Sequence, residues 1–437
     1  MKKTTLLKFP HPFKAALAVC SDIDGTSWEN FLAIHQFLNS TAQTPLGKGV
    51  GLNISDSFWM FDQVGTPNAA FSYFKNDLGQ PSEKAPMMRE LMRADILDVM
   101  HGYGNFSEKL CFSRKMAEIA LEELDKHKIK IRVWTNHGGE ESEQNIGALS
   151  AGRGDLYPNE KPFNSEQCVY HADLLLKYGL RFYWDCERAL TNVVGQNRKA
   201  NFAEFYWKSP LYQTPVSKLK TLAKAGMFCA RKKYAELIHP YFKQRPEFKL
   251  SNLLLQEDQL RDDRLTFRFK RFGNGRLDWS DDLPRLLNDR VLETLIEKQG
   301  YMVLYIHLGD RLPGADSAPL SEETVRTFRK IAELYQSGTL WVETVSRLLN
   351  YNYIYHHLDW YARETESQFI IHIKGLQEKN SKMTLSQESL SGISFKISMD
   401  KPVLLFFKNR SLDIQQFPID QNYQIIMIPR TNIEWPL

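Results

Sequence analysis

The chain has 437 residues, room for more than one domain at the usual length of about 100–250 residues each. Hydrophobic content of 43% and charged content of 25% are those of an ordinary water-soluble globular protein and argue against a disordered chain. A net charge of +4 offers no charge-driven route to nucleic acid or an anionic membrane.

The five cysteines, Cys20, Cys111, Cys168, Cys186 and Cys229, are scattered, odd in number and form no C-x-x-C pair. They read as reduced thiols of a reducing compartment. Met1–Pro10 carries charge without an apolar core of signal-peptide length. No run reaches the roughly 18 apolar residues that a bilayer span requires. A cytoplasmic protein with no membrane span is expected.

The first strong element is Ala15–Ser21, a short apolar run that reads as a strand buried on both faces and ends at Asp22-Ile23-Asp24-Gly25-Thr26. Strand side chains alternate, so Asp22 and Asp24 point to the same side at the strand end. An amphipathic helix follows over Trp28–Ser40, then a strand within Gly51–Met60. Asp62–Pro86 is polar and rich in glycine and proline, a long loop over the same end. Met87–Ala94 reads as helix and Ile96–Met100 as a third strand, ending at His101-Gly-Tyr-Gly-Asn105. Arg114–Lys126 has the i, i+3, i+4 spacing of a helix. Lys130–Trp134 is a strand ending at Thr135-Asn136-His137-Gly138-Gly139.

The unit recurs with the helix His171–Tyr178 and the strand Leu180–Trp184, which ends at Asp185. Residues 190–265 are polar and basic, with helical pieces near Lys218–Lys224 and Ala230–Ile238. Leu265–Phe269 alternates like a strand, Leu286–Glu297 like a helix, and Tyr301–Ile306 is a strand ending at His307. Ser321 is placed to cap a helix running to Tyr335, and Trp341–Leu349 closes the series. Alternating strands and helices, with polar residues at every strand end, predict an α/β protein: a parallel, distorted β/α barrel over residues 1–360. From about Thr365 the pattern changes to short strands within Phe369–Lys374, Ile393–Ser398, Val403–Phe407 and Tyr423–Ile428. These predict a small antiparallel β domain over 365–437, with the boundary near Trp360–Ser367.

The strand ends collect Asp22, Asp24, His101, Asn105, Asn136, His137, Asp185 and His307. Histidine and carboxylate are ligands for zinc or a similar first-row divalent ion, and a catalytic site uses three of them. Asp22, Asp24, His101, His137 and His307 are the candidates for them. Asn105 lies close enough to bond a metal water, and Asp185 is a candidate to accept a hydrogen bond from a ligating histidine. Asn136 and Trp184 complete the surroundings of the site.

This order of strand-end motifs resembles the NodB-like polysaccharide deacetylases over Phe13–Tyr351, with Asp-x-Asp-Gly at residues 22–25, His101-x-x-x-Asn105, the Gly-rich stretch after Trp134, Trp184-Asp185 and Leu304-Tyr-Ile-His307. The resemblance implies a distorted barrel that binds a divalent metal and removes N-acetyl groups from sugars, with carbohydrate as the partner molecule. It implies Asp24 as a metal ligand, Asp22 in place of the family's base, His101 as a ligand and His307 as acid. The chain departs from the family at Ile23, at Asn105, where the family has a second histidine, and in the third motif, where Arg and Pro are absent and His137 stands in as ligand. The closer likeness is to members encoded with cell-surface polysaccharide synthesis.

Two other readings stay open. Asp22-x-Asp24-Gly-Thr26 also fits the opening motif of haloacid dehalogenase-type phosphatases, with Asp22 as nucleophile, Asp24 as acid/base, Trp134-Thr-Asn136 as second motif, and Mg²⁺ bridging to Asp310. The third is an inactive barrel that binds glycans through Trp59, Trp134, Trp184 and Trp279.

Overall fold

In the computed structural model the described residues are 4–61, 70–76, 78–106, 112–137, 142, 144–146, 169–185, 190–200, 204, 223, 226, 252–260, 264–273, 277–377, 385–398 and 401–436. The strands, in chain order, are β1 (Thr5–Leu6), β2 (Ala15–Ser21), β3 (Gln43–Thr44), β4 (Gly47–Lys48), β5 (Ser55–Phe61), β6 (Ser72–Phe74), β7 (Leu97–His101), β8 (Val133–Thr135), β9 (Phe182–Trp184), β10 (Leu190–Thr191), β11 (Leu255–Gln259), β12 (Leu265–Phe269), β13 (Arg271–Phe272), β14 (Tyr301–Ile306) and β15 (Leu340–Val342).

Ten of these form one curled sheet that sweeps through 272°, a half-barrel. Its order is β10-β13-β14-β2-β5-β7-β8-β9-β12-β11, with β15 also on β2 and β6 also on β5. Neighbours along it run parallel, apart from the antiparallel pair β11–β12. A curled parallel sheet with helices between its strands agrees with the expected barrel class at the level of an open half-barrel.

The period of two in each strand divides the core. On β2, Ala15, Leu17 and Val19 pack outward with Phe37 of the helix Trp28–Asn39, Leu295 of Asp289–Glu297 and Phe328 of Glu322–Gln336. Met100, Trp134 and Tyr183 face a second outer cluster with Leu91 of Ala85–Arg93, Ala120 of Arg114–Lys126 and Leu175 of Ala172–Tyr178. The intervening residues Ala16, Ala18, Cys20, Val99, Val133, Phe182, Phe269 and Val303 belong to a third cluster, which runs on into the helix Val345–His357 and the strands beyond it. Burial of this kind stabilises by about 25 cal/mol per Å² of apolar surface.

Those later strands are β16 (Leu358–Glu364), β17 (Phe369–Leu376), β18 (Ser394–Ser398), β19 (Val403–Phe407), β20 (Arg410–Ser411), β21 (Gln415–Pro418) and β22 (Tyr423–Met427). They form two sheets, β16-β17-β19-β20 and β1-β18-β22-β21. Both are antiparallel except for the parallel pair β17–β19. The early strand β1 pairs with β18, so the second sheet draws on both halves of the sequence.

Several elements depart from the sequence reading. The expected helix Leu286–Glu297 is two helices, Leu283–Leu286 and Asp289–Glu297, because the Asn288 side chain accepts the Val291 N–H and caps the second. The expected loop Asp62–Pro86 contains β6, parallel to β5, and the start of the helix at Ala85, where Pro86 sits in the first turn. Its residues 62–69 and 77 lie outside the described residues, as do Ala230–Ile238, Lys218–Lys224 apart from Ala223, Gly138, Gly139, Cys111, Cys168, Cys186 and Cys229. Cys20 is a buried free thiol, pushed up to about 12 by burial. Among the described residues no helix is long and apolar enough to cross a membrane.

Candidate metal centre

Each inward row of the half-barrel runs past its strand end into polar residues. Ala16, Ala18 and Cys20 lead to Asp22 and Asp24; Val99 leads to His101; Val133 and Thr135 lead to His137. Phe182 leads to Trp184, Phe269 to Arg271, and Tyr301 and Val303 to Tyr305 and His307. The parallel register brings these ends to one mouth, where sites of α/β proteins are built. Ser27, rather than either aspartate, caps the following helix by accepting the Asn30 N–H at 3.1 Å, so both aspartates are available to the site.

Asp24 is the meeting point. Its Oδ2 lies 3.3 Å from His101 Nε2 and 3.7 Å from His307 Nε2, and its Oδ1 lies 3.3 Å from His137 Nε2. The His101 and His137 rings meet edge to face with centroids 4.8 Å apart. One ligand atom from each of Asp24, His101 and His137 falls within 4.8 Å of the others. A tetrahedral ion with bonds of about 2.0–2.1 Å spaces its ligand atoms about 3.3 Å apart, the distance of each of these two imidazole Nε2 atoms from one Asp24 oxygen, so the three residues could gather round such an ion. Asp24 Oδ1 and His101 Nε2 are buried and have no hydrogen bond, a costly condition that a cation between them relieves.

Charge points the same way. Burial alone would raise the Asp24 carboxyl, but His101, His307 and His137 hold it well below the ordinary carboxylate range. Burial opposes charge on His101, yet Asp22 and Asp24 lift it to about 10, whereas burial and the charge on His101 push His137 down to about 4. Two carboxylates at such depth hold a positive charge between them, supplied here by His101 or by a bound cation.

Asp22 is 3% exposed and engaged on both oxygens. Arg271 Nη1 donates to Oδ1 at 2.6 Å and Nη2 to Oδ2 at 3.1 Å, while His101 Nδ1 lies 3.4 Å from Oδ1. Thr135 Oγ1 is the other neighbour of His101 Nδ1. Asp22 therefore stands behind His101, on the far side of the ring from Asp24. Arg271 is fully buried between the faces of Trp184 and Tyr305, 3.5 and 4.3 Å from the two ring centroids. The sequence reading missed Arg271. Continuing the alternation of Leu265–Phe269 by two residues would have found it, because residue 271 shares the inward parity of Phe269.

The remaining expected residues take other places. Asp185 pairs with Arg268 at 3.0 Å and accepts from Asn136 at 3.4 Å, so the partners seen at His101 Nδ1 are Thr135 and Asp22 instead. Asn136 accepts from Trp134 Nε1 and Ile146 N and donates to the Ile146 carbonyl, which makes it a pin for the segment at 144–146. Asn105 is buried in the turn after β7. Trp59, Trp134 and Trp184 are at most 5% exposed and cannot stack on a glycan from solvent. Trp59 instead walls the centre, its ring stacked on His101 at 6.3 Å and edge to face with His137 at 5.4 Å.

His307 completes the mouth. Its backbone N–H donates to the Asp278 carbonyl at 2.6 Å, and its Nδ1 faces the same oxygen at 3.2 Å, which turns Nε2 toward Asp24. Burial opposes charge on this ring, but Asp24, Asp22 and Asp278 outweigh it and raise its pKa. Asp310 packs against the Asp24 turn: a Cβ on Gly25, whose φ is +68°, would sit 3.1 Å from the Asp310 Cγ. No protein-family model, no curated protein and no solved structure matches this chain.

Proposed function

We propose that this protein is a metal-dependent hydrolase that removes the N-acetyl group from a sugar of a cell-surface polysaccharide or its precursor. The observation that carries the reading is the Asp24–His101–His137 cluster, with His307 facing it across the mouth of a curled parallel sheet. A divalent ion, zinc by the chemistry of one carboxylate and two imidazoles, supplies Lewis-acid polarisation of an acetyl carbonyl and lowers the pKa of water when bound. Asp24, His101 and His137 hold it. Asp22 and Thr135 fix the tautomer and orientation of His101.

His307, its Nδ1 directed by the Asp278 carbonyl, would take a proton from the attacking water at Nε2 and return it to the leaving amine, so that the water O–H and the amide C–N bond break as the acetate C–O and amine N–H bonds form. The sequence reading gives Asp22 the part of general base. Its bidentate hold on Arg271 keeps it ionised and favours the positioning role described above.

The same contact weighs against the phosphatase reading, which needs Asp22 as a nucleophile. The packing of Asp310 on the Asp24 turn makes Mg²⁺-dependent phosphate release the natural control assay. The deciding experiment measures metal content and acetate release from nucleotide- or lipid-linked N-acetyl sugars, for the wild type and His101→Ala. Wild type is expected to carry a divalent metal and release acetate, and the variant to lose both. Acetate release by metal-free protein would overturn the mechanism, and phosphate release with Mg²⁺ alone would transfer the site to the rival reading.

A further inference from the structure

Resting on the metal reading above, we infer that Gln144 is a positioning residue for that centre: it ties the turn after His101 to the segment pinned beside His137, and so sets how the two imidazoles face each other. The β7–β8 ladder ends at the pair His101–Thr135. Past that pair the two chains carry backbone groups that must find partners elsewhere, and His137 stands beyond the last residue of β8.

Gln144 is fully buried, and its amide is engaged with backbone. Oε1 accepts the N–H of Tyr103 at 2.7 Å and that of Gly104 at 3.3 Å, while Nε2 donates to the Gly104 carbonyl at 2.6 Å. Gly102 makes the approach possible: its φ is +62°, and a Cβ there would fall 2.8 Å from Gln144 Oε1. Gln144 is held from behind as well. His171 Nε2, facing a carbonyl, is the protonated ring nitrogen and donates to the Gln144 oxygen at 2.8 Å, and His171 Nδ1 stands 3.4 Å from the Tyr103 hydroxyl. The start of the helix Ala172–Tyr178 therefore anchors the clasp.

Two residues on, Ile146 donates its N–H to Asn136 Oδ1 at 3.0 Å and accepts from Asn136 Nδ2 at 3.1 Å. Asn136 immediately precedes His137. The short piece 144–146 thus grips the residues that follow one imidazole and the residue that precedes the other. The two rings it spans meet edge to face at 4.8 Å. A direct outer partner of a metal ligand governs affinity by about 10–100-fold, and Gln144, acting through backbone, belongs at the lower end of that range.

The test compares wild type, Gln144→Leu, Gln144→Glu and Ser27→Ala. Zinc affinity is measured by chelator competition, and the ring signals of His101 and His137 are followed by nuclear magnetic resonance in metal-free protein. Gln144→Leu removes all three side-chain bonds and is expected to weaken zinc binding about tenfold and to shift both ring signals. Gln144→Glu keeps the two accepting contacts and is expected to fall between Gln144→Leu and wild type, so the role is tested even where the leucine variant folds poorly. Ser27→Ala lowers stability through a helix cap away from both turns and is expected to leave both readouts at wild-type values. Unchanged zinc affinity in both Gln144 variants, or the same loss in Ser27→Ala as in Gln144→Leu, overturns the positioning role. A wild type that takes up no zinc overturns the metal reading instead. The role of Gln144 is then decided in the metal-free spectra, where unmoved His101 and His137 signals in both Gln144 variants would rule it out.

Discussion

Arg271 and Asp22 form an ion pair with essentially no water around it, and removing one partner strands the other. Breaking such a pair costs about 3–5 kcal/mol, so Arg271→Met is expected to lower stability by that order in denaturant unfolding. Adding Asp22→Asn to Arg271→Met should recover part of the loss, since the stranded charge is then gone; a double variant no more stable than the single would contradict the account. Asp22→Asn alone separates two roles. Losing an orienting partner behind a metal ligand costs roughly 10–100-fold in metal affinity or activity. Losing a general base costs about 10²–10⁴-fold in turnover and spares the metal. Parallel assays of metal affinity and kcat are expected to show the first pattern. At this scale the grouping of Asp24, His101, His137 and His307 was legible in the sequence, because each falls at or within three residues of the end of an apolar strand. Arg271 escaped it because β12 and β13 are separated only by Lys270, and the basic pair reads as solvated surface until the inward parity is followed. Asp185 and Asn136 looked equivalent to the histidines in sequence, but their side chains are spent on Arg268, Trp134 and the backbone of Ile146.

The turns that carry the proposed ligands depend on close approach between elements. Gly309, just after β14, touches the turn after β2: a Cβ there would fall 2.2 Å from both Cγ2 and Oγ1 of Thr26. Gly309→Ala must displace the Asp24 turn, and overpacking of this kind costs typically about 1–3 kcal/mol. The variant is expected to melt lower than wild type and to bind the metal more weakly; unchanged metal affinity would mean that the turn is not braced by this contact. Ser27→Ala, by contrast, removes one helix cap and is expected to cost about 1 kcal/mol with little effect on the metal. Most elements were legible from periodicity, with Arg114–Lys126, Leu265–Phe269 and Tyr301–Ile306 found at their observed bounds. The break at Asn288 was not, because an asparagine inside an amphipathic pattern is tolerated until its side chain is seen to accept the Val291 N–H. The parallel pairing of β17 with β19 was likewise hidden, since strand alternation carries no direction.

In the molecule as a whole, the inner core of the half-barrel passes without interruption into the C-terminal sheets, and two acidic residues are buried along that seam. Burial pushes Asp98 up from 3.8 to about 7 and Glu343 up from 4.5 to about 7, with Asp95 adding to both and Arg347 opposing at Glu343. A carboxyl raised in the folded state favours folding while protonated; its contribution is lost as pH climbs from the unfolded value through the folded one. Relative to Asp98→Asn/Glu343→Gln, wild type should therefore lose stability between about pH 4.5 and pH 7 and change little above about pH 8. Difference profiles from unfolding at several pH values check this, and a flat difference would show that neither carboxyl titrates in that window.

The pairing of Thr5–Leu6 with Phe395–Lys396 has a consequence for how the chain is made. On the ribosome the earlier strand emerges first and must wait, unpaired, for nearly everything that follows. β2, which presents Asp24, waits almost as long for its neighbour β14. Asp24, His101 and His137 are all translated well before either partner strand exists. A nascent chain can thus expose these three candidate metal donors to the cell while the sheet that will hold them is still open on one side. If the proposed metal binds, the timing of its loading relative to release from the ribosome becomes a question about biosynthesis as much as about affinity.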